Sequence, residues 1–129
     1  MAVLKVSGAS GQVSGLNLGY GGVAVTRTAT HEYVVTSAVL DDCESAGDAM
    51  QSHIATWPCA GGTAMSEAGA VFVFRAALGT NAFSQVGYLK SPAPAADQWW
   101  GVSMRAAGGL VVIGVKSGVV WGVVDLSLL

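Results

Sequence analysis

The stretch AGAVFVFRAALGTNAFSQVGYLK, residues 68–90, decides the fold. Within it Val71 and Val73 fall on one face of an extended chain, and Phe72 and Phe74 fall on the other. Both faces are apolar, so this strand belongs between two packed layers or two neighbouring sheets. Gly79-Thr80-Asn81 supplies a turn, and the chain then returns through a second apolar run ending at Lys90. Outward from this hairpin the same grammar repeats. Strands are read at residues 3–6, 21–27, 32–40, 69–75, 82–89 and 109–115, with two more at 100–105 and 118–126. Gly108-Gly109 and Ser117-Gly118 suit tight hairpins, because glycine reaches positive φ without steric cost. Ser91-Pro-Ala-Pro-Ala is a stiff connector, since proline cannot donate to a sheet ladder.

Composition bounds what such a chain does. The 129 residues suit one domain, and with 52% hydrophobic and 11% charged residues the chain is far from the disordered class. The mean hydropathy of +0.54 raises the question of a membrane span. The best candidate, GGLVVIGVKSGVVWGVVDLSLL, is cut by Lys116, Ser117 and Gly118 and closed by Asp125, and its valines and glycines favour strands, so no span is expected. Six basic residues are scattered along the chain against eight acidic ones. They make no footprint for nucleic acid. The opening MAVLKVSG has no signal-peptide pattern, which a secreted protein carries unless the chain is a mature domain or a piece.

Residues 41–67 interrupt the strand grammar as a long polar insertion. Ala46, Met50, Ile54 and Trp57 fall near helical spacing ahead of Pro58, so a short helix is one reading of it. Loops of this length inside a domain are often functional. Asp41, Asp42, Glu44 and Asp48 concentrate four of the eight acidic residues here, as a site for a cation or a basic partner or as a solvated rim. Their spacing is not that of an EF-hand loop. Cys43 and Cys59 bracket the insertion. A disulfide between them would stabilise the loop by about 3 kcal/mol in an oxidising setting, and two buried thiols are the cytosolic alternative. His53 between them does not complete a zinc motif.

No nucleophile elbow, phosphate loop or HExxH motif surrounds the serines, acids and two histidines, His31 and His53. The chain is therefore expected to bind rather than catalyse, with no cofactor and no metal. Of the four tryptophans, Trp57 in the insertion and Trp99 beside the proline connector are the candidate contacts for a protein or carbohydrate ligand.

The chain also repeats itself. Leu4-Lys5, a linker, Tyr20-Gly21 and a strand pair are echoed by Leu89-Lys90, a linker, Trp100-Gly101 and another strand pair, and repetition of a multi-strand unit marks propellers and solenoids. These residues resemble the FG-GAP repeat of integrin-α-type β-propellers. YGGVAV and WWGVSM stand at the aromatic–Gly step, YVVTSAV and LVVIGVK at the Gly-Ala-Pro strand, AGAVFVF and SGVVWGVV at the third strand, and FSQVGYLK at the fourth. The Gly-Ala-Pro step itself departs from the pattern, reading Thr36-Ser-Ala-Val and Ile113-Gly-Val-Lys. The resemblance implies an all-β domain of about two four-stranded antiparallel blades. Residues 1–90 would hold an N-terminal strand and a first blade carrying the insertion, and 91–129 an incomplete second blade. A β-sandwich or jelly roll is the alternative fold.

The resemblance further implies an extracellular or cell-surface adhesion module, and places Trp100 and Trp121 in blade packing. The family's calcium site does not carry over. The turn at 26–33 offers only Glu32, the turn at 105–110 offers no carboxylate, and calcium takes six to eight oxygens. Two blades are too few to close a ring of roughly four to eight. The expectation is therefore a head-to-tail homo-oligomer or a piece of a longer propeller. A structural protein of a particle, such as a capsid decoration protein, is the alternative function.

Overall fold

Wherever β-branched and aromatic residues run between glycine turns, the chain is extended. The computed structural model describes residues 18–40 and 67–129, and seven strands account for most of them. They are β1 (Leu18–Arg27), β2 (His31–Ala38), β3 (Ala70–Ala77), β4 (Ser84–Leu89), β5 (Ser103–Ala107), β6 (Leu110–Gly114) and β7 (Val120–Asp125). A single 3-10 turn, Leu126–Leu128, follows β7. The strand read at residues 3–6 lies outside the described residues, as does most of the 41–67 insertion with its expected helix.

Two antiparallel sheets result. β1-β2-β3-β4 form one of four strands and β5-β6-β7 form one of three, each in chain order. The described residues are thus all-β. The second sheet has three described strands rather than four, and the two sheets do not close into a barrel or a ring among the described residues. The hairpin between β5 and β6 turns on Gly108 and Gly109 alone, both at positive φ, with Ala107 opposite Leu110. That is the backbone twist a two-residue hairpin requires.

The β3 strand has the two-sided burial its alternation requires. Val71 and Val73 enter a core with Tyr33, Val35 and Leu89 of the first sheet and Val111, Ile113 and Val124 of the second. Phe72 and Phe74 join Ala38, Ala70 and Tyr88 on the opposite face, where the Phe72 and Tyr88 rings lie 5.1 Å apart and tilted. Trp100 fills the space between the sheets and is fully buried. Its backbone N–H donates to the Ala68 carbonyl beside β3, while the next amide, Gly101, donates to Gly114 of β6. One dipeptide therefore ties both sheets together.

Two further contacts fix how the sheets meet. The Gly109 amide donates to the buried Thr26 hydroxyl at 3.1 Å, which joins the β5–β6 hairpin to β1. Gly21 and Gly101, the glycines of the two aromatic–Gly steps, lie against each other. A side chain at Gly21 would strike the Gly101 carbonyl oxygen, and one at Gly101 would come within 2.7 Å of a Val71 methyl. The sheets approach this closely only because neither residue has a Cβ.

Candidate functional site

At the first aromatic–Gly step, five residue steps along β1 from Leu18 to Val23 oppose only two along β2, from Ala38 to Thr36. The surplus bulges outward through Gly19 and Gly22, both at positive φ. A bulge re-aims side chains, and Tyr20 on this one is 63% exposed.

Tyr20 does not stand alone. Its ring meets Trp99 edge-on, with centroids 6.1 Å apart and planes at 87°. Trp99 lies on the connector between β4 and β5, and its position is fixed from several directions. Its backbone N–H donates to the Glu67 carbonyl at 3.0 Å, and its indole Nε1–H donates to the Glu67 carboxylate at 2.6 Å. The Lys116 ammonium sits 4.2 Å from the ring centroid. The Lys116 amide donates to the Gln98 carbonyl, and the Gln98 side chain donates to Ala93. Beneath, the fully buried Lys90 reaches the Gly69 carbonyl with its ammonium at 2.6 Å.

This arrangement is held against local strain. Among the described residues three non-glycine residues adopt positive φ, namely Glu67, Asp97 and Trp99, and two of them, Glu67 and Trp99, are bonded to each other in this platform. Each such conformation costs of order 1–3 kcal/mol and persists only where surrounding contacts enforce it. For a bulky aromatic residue like Trp99 the conformation is uncommon. Against that cost stand a charge-assisted hydrogen bond to a carboxylate and a cation–π contact of about 0.5–1 kcal/mol at an exposed position. Chemically the platform offers an electron-rich indole, a phenol edge, one carboxylate and one exposed ammonium.

Of the ligand-binding residues expected from sequence, Trp99 is placed here, half-buried. Trp57, Asp41, Asp42, Glu44 and Asp48 lie outside the described residues, as do Cys43, Cys59 and His53. Tyr20, Glu67 and Lys116 were not read as site residues. Only the glycines flanking Tyr20 carried a signal, that of a bulge. Trp100 is buried in the core between the sheets. Its indole N–H and the Gln98 side-chain oxygen are buried without a hydrogen-bond partner among the described residues.

Across the β1–β2 turn, Glu32, half-buried, faces the exposed Arg27 at 3.3 Å in an ion pair. His31 begins β2 with its ring against the Thr30 hydroxyl. An open cleft of ≈ 240 Å³ lies on the outer side of the second sheet, lined by residues including Met104, Arg105 and Val112. It is smaller than the ~300–1,000 Å³ of small-molecule pockets. Among the described residues no helix is long and apolar enough to cross a membrane.

Comparison with protein-family models, with curated proteins and with solved structures found no match.

Proposed function

We propose that the protein is a non-enzymatic recognition module of the FG-GAP propeller type, and that it engages a protein or glycan partner through the surface around Trp99. The observation that carries this reading is the strained platform itself. Backbone strain gathers where function needs a side chain held in place, and here it presents one indole and one phenol ring toward the surface. Aromatic side chains with polar neighbours are frequent anchors of binding energy. The blade reading draws support from chain order. Among the described residues each sheet sets its antiparallel strands side by side in chain order, as in a propeller blade. Greek-key sandwiches send successive strands across to the other sheet.

The test uses arrays of immobilised glycans and peptides, probed with the full chain and with Trp99→Gly. Glycine suits the positive φ of residue 99, so this variant removes the indole without opposing the backbone. Binding that disappears in Trp99→Gly supports the reading. Absence of any Trp99-dependent signal sinks it.

The same reading includes a second copy of the chain as a partner, in a head-to-tail assembly. Among the described residues β7 is the last strand of its sheet, and Val119 and Val123 beside that edge are exposed. An unpaired strand edge with apolar neighbours invites another strand. Light scattering reads the outcome. A mass in multiples of 13.0 kDa agrees with the assembly, and a monomer at high concentration refutes it.

A further inference from the structure

The Trp99 platform is polarised in one direction. The indole N–H is committed to a carboxylate at 2.6 Å, so the ring has no donor left for a ligand. That negative partner sits at the ring's N–H edge and polarises the indole toward its π face. The ring is already in contact with a positive charge, the Lys116 ammonium at 4.2 Å from its centroid. Lys116 itself is exposed, at the tip of the β6–β7 hairpin, and no ion-pair partner within salt-bridge reach fixes its ammonium among the described residues. Tyr20 bounds the same surface with a ring perpendicular to the indole.

We infer that this is a cation-recognition face occupied by the protein's own lysine, and that its ligand is a quaternary ammonium group which takes the place of Lys116. The inference rests on the recognition reading above and narrows it. A neutral sugar would have to displace a charge-matched cation and bring no charge of its own. A primary ammonium would gain nothing over the tethered lysine. A quaternary ammonium sheds water more readily than the strongly hydrated lysine head, and aromatic faces recognise it through the ring quadrupole. Release of Lys116 returns that head to solvent, which offsets the loss of its own contact.

The experiment follows the Trp99 indole N–H resonance of the full, isotope-labelled chain by NMR, with that resonance assigned by its disappearance in Trp99→Gly. The probe is choline, with 3,3-dimethylbutanol as the uncharged molecule of the same shape. A saturable shift with choline alone is expected. Lys116→Met should tighten choline binding about two- to fivefold by removing the internal competitor. Tyr20→Ala and Glu67→Gln should each weaken it.

Equal response to the neutral isostere overturns the inference. So does the lack of a choline response in both the native chain and Lys116→Met. Array binding that depends on Trp99 but comes without a choline response removes the cation assignment and leaves the recognition reading standing. Phosphatidylcholine vesicles and a trimethyl-lysine peptide then separate the sources. Co-sedimentation assigns a lipid headgroup and peptide binding a modified protein, and either outcome supports the inference.

Discussion

Tyr20-Gly21 and Trp100-Gly101 are the same step of sequence with opposite fates. Trp100 is fully buried between the sheets, whereas Tyr20 is 63% exposed. The glycines of the two steps behave alike, each pressed against the other sheet, while the aromatics part company. The cause is local. The first step lies in a wide bulge of β1, which carries Tyr20 away from the ladder. The second lies in a connector whose backbone bonds to Ala68 and Gly114 pull Trp100 inward. A sequence repeat therefore preserved the close backbone approach of the sheets and left the aromatic free to take a new position.

The largest expected effect tests that contrast directly. Trp100→Ala should cost about 3–5 kcal/mol, as for other buried aromatic truncations. Tyr20→Ala should cost under about 1 kcal/mol, the scale of one exposed aromatic pair. Denaturant unfolding of the two variants measures both, and similar losses would break the comparison. Next in size is Gly21→Ala. Its Cβ meets the carbonyl oxygen of Gly101, a backbone atom that no rotamer can move. A loss of about 1–3 kcal/mol is expected from this overpacking, and unchanged stability would mean that the two steps do not meet.

An effect of similar size sharpens the picture of how the sheets join. Thr26→Val keeps the shape but removes the acceptor for the buried Gly109 amide, which should cost about 1–3 kcal/mol for the orphaned donor. Thr30→Val in the exposed β1–β2 turn should stay within about 0.5 kcal/mol. Parity between the two threonines in thermal melts would argue against a hydrogen bond between the sheets.

The smallest effect is one of pH. The side-chain and backbone hydrogen bonds from Ser127 hold the Asp125 carboxyl below the ordinary 3.8. The folded pKa is lowered, so the cap contributes stability above 3.8 and loses it as pH falls through the lower folded midpoint. Carbon-detected titration of Asp125 should give a midpoint below 3.8, and a value above it would show that the Asp125 carboxylate does not cap the 3-10 turn.

Much of the fold was legible because it rests on period and punctuation. Alternation placed Val71 and Val73 opposite Phe72 and Phe74, and Gly108-Gly109 marked a hairpin that the chain makes with those two residues alone. The Trp99 platform was legible only in Trp99 itself. Glu67 and Lys116 gave no sign of it, because they are far apart in the chain and ordinary in type. They meet at Trp99 through the Glu67 carboxylate on its indole N–H and the Lys116 ammonium over its ring.

The sequence by itself determined the all-β character of the described residues and the Gly108-Gly109 hairpin, while the strand read at 100–105 runs at Ser103–Ala107 and Ser117-Gly118 lies within a five-residue link between β6 and β7. Local sterics and side-chain period act within a few residues, and a single chain displays them. Tertiary structure alone decided that Gly21 faces Gly101, that Trp100 is interior and that Tyr20 shares a surface with Trp99. Those outcomes depend on the extra residues in β1, on the register between strands and on the packing of one sheet on another. They are properties of distances between remote residues, which the order of residues along a chain does not contain.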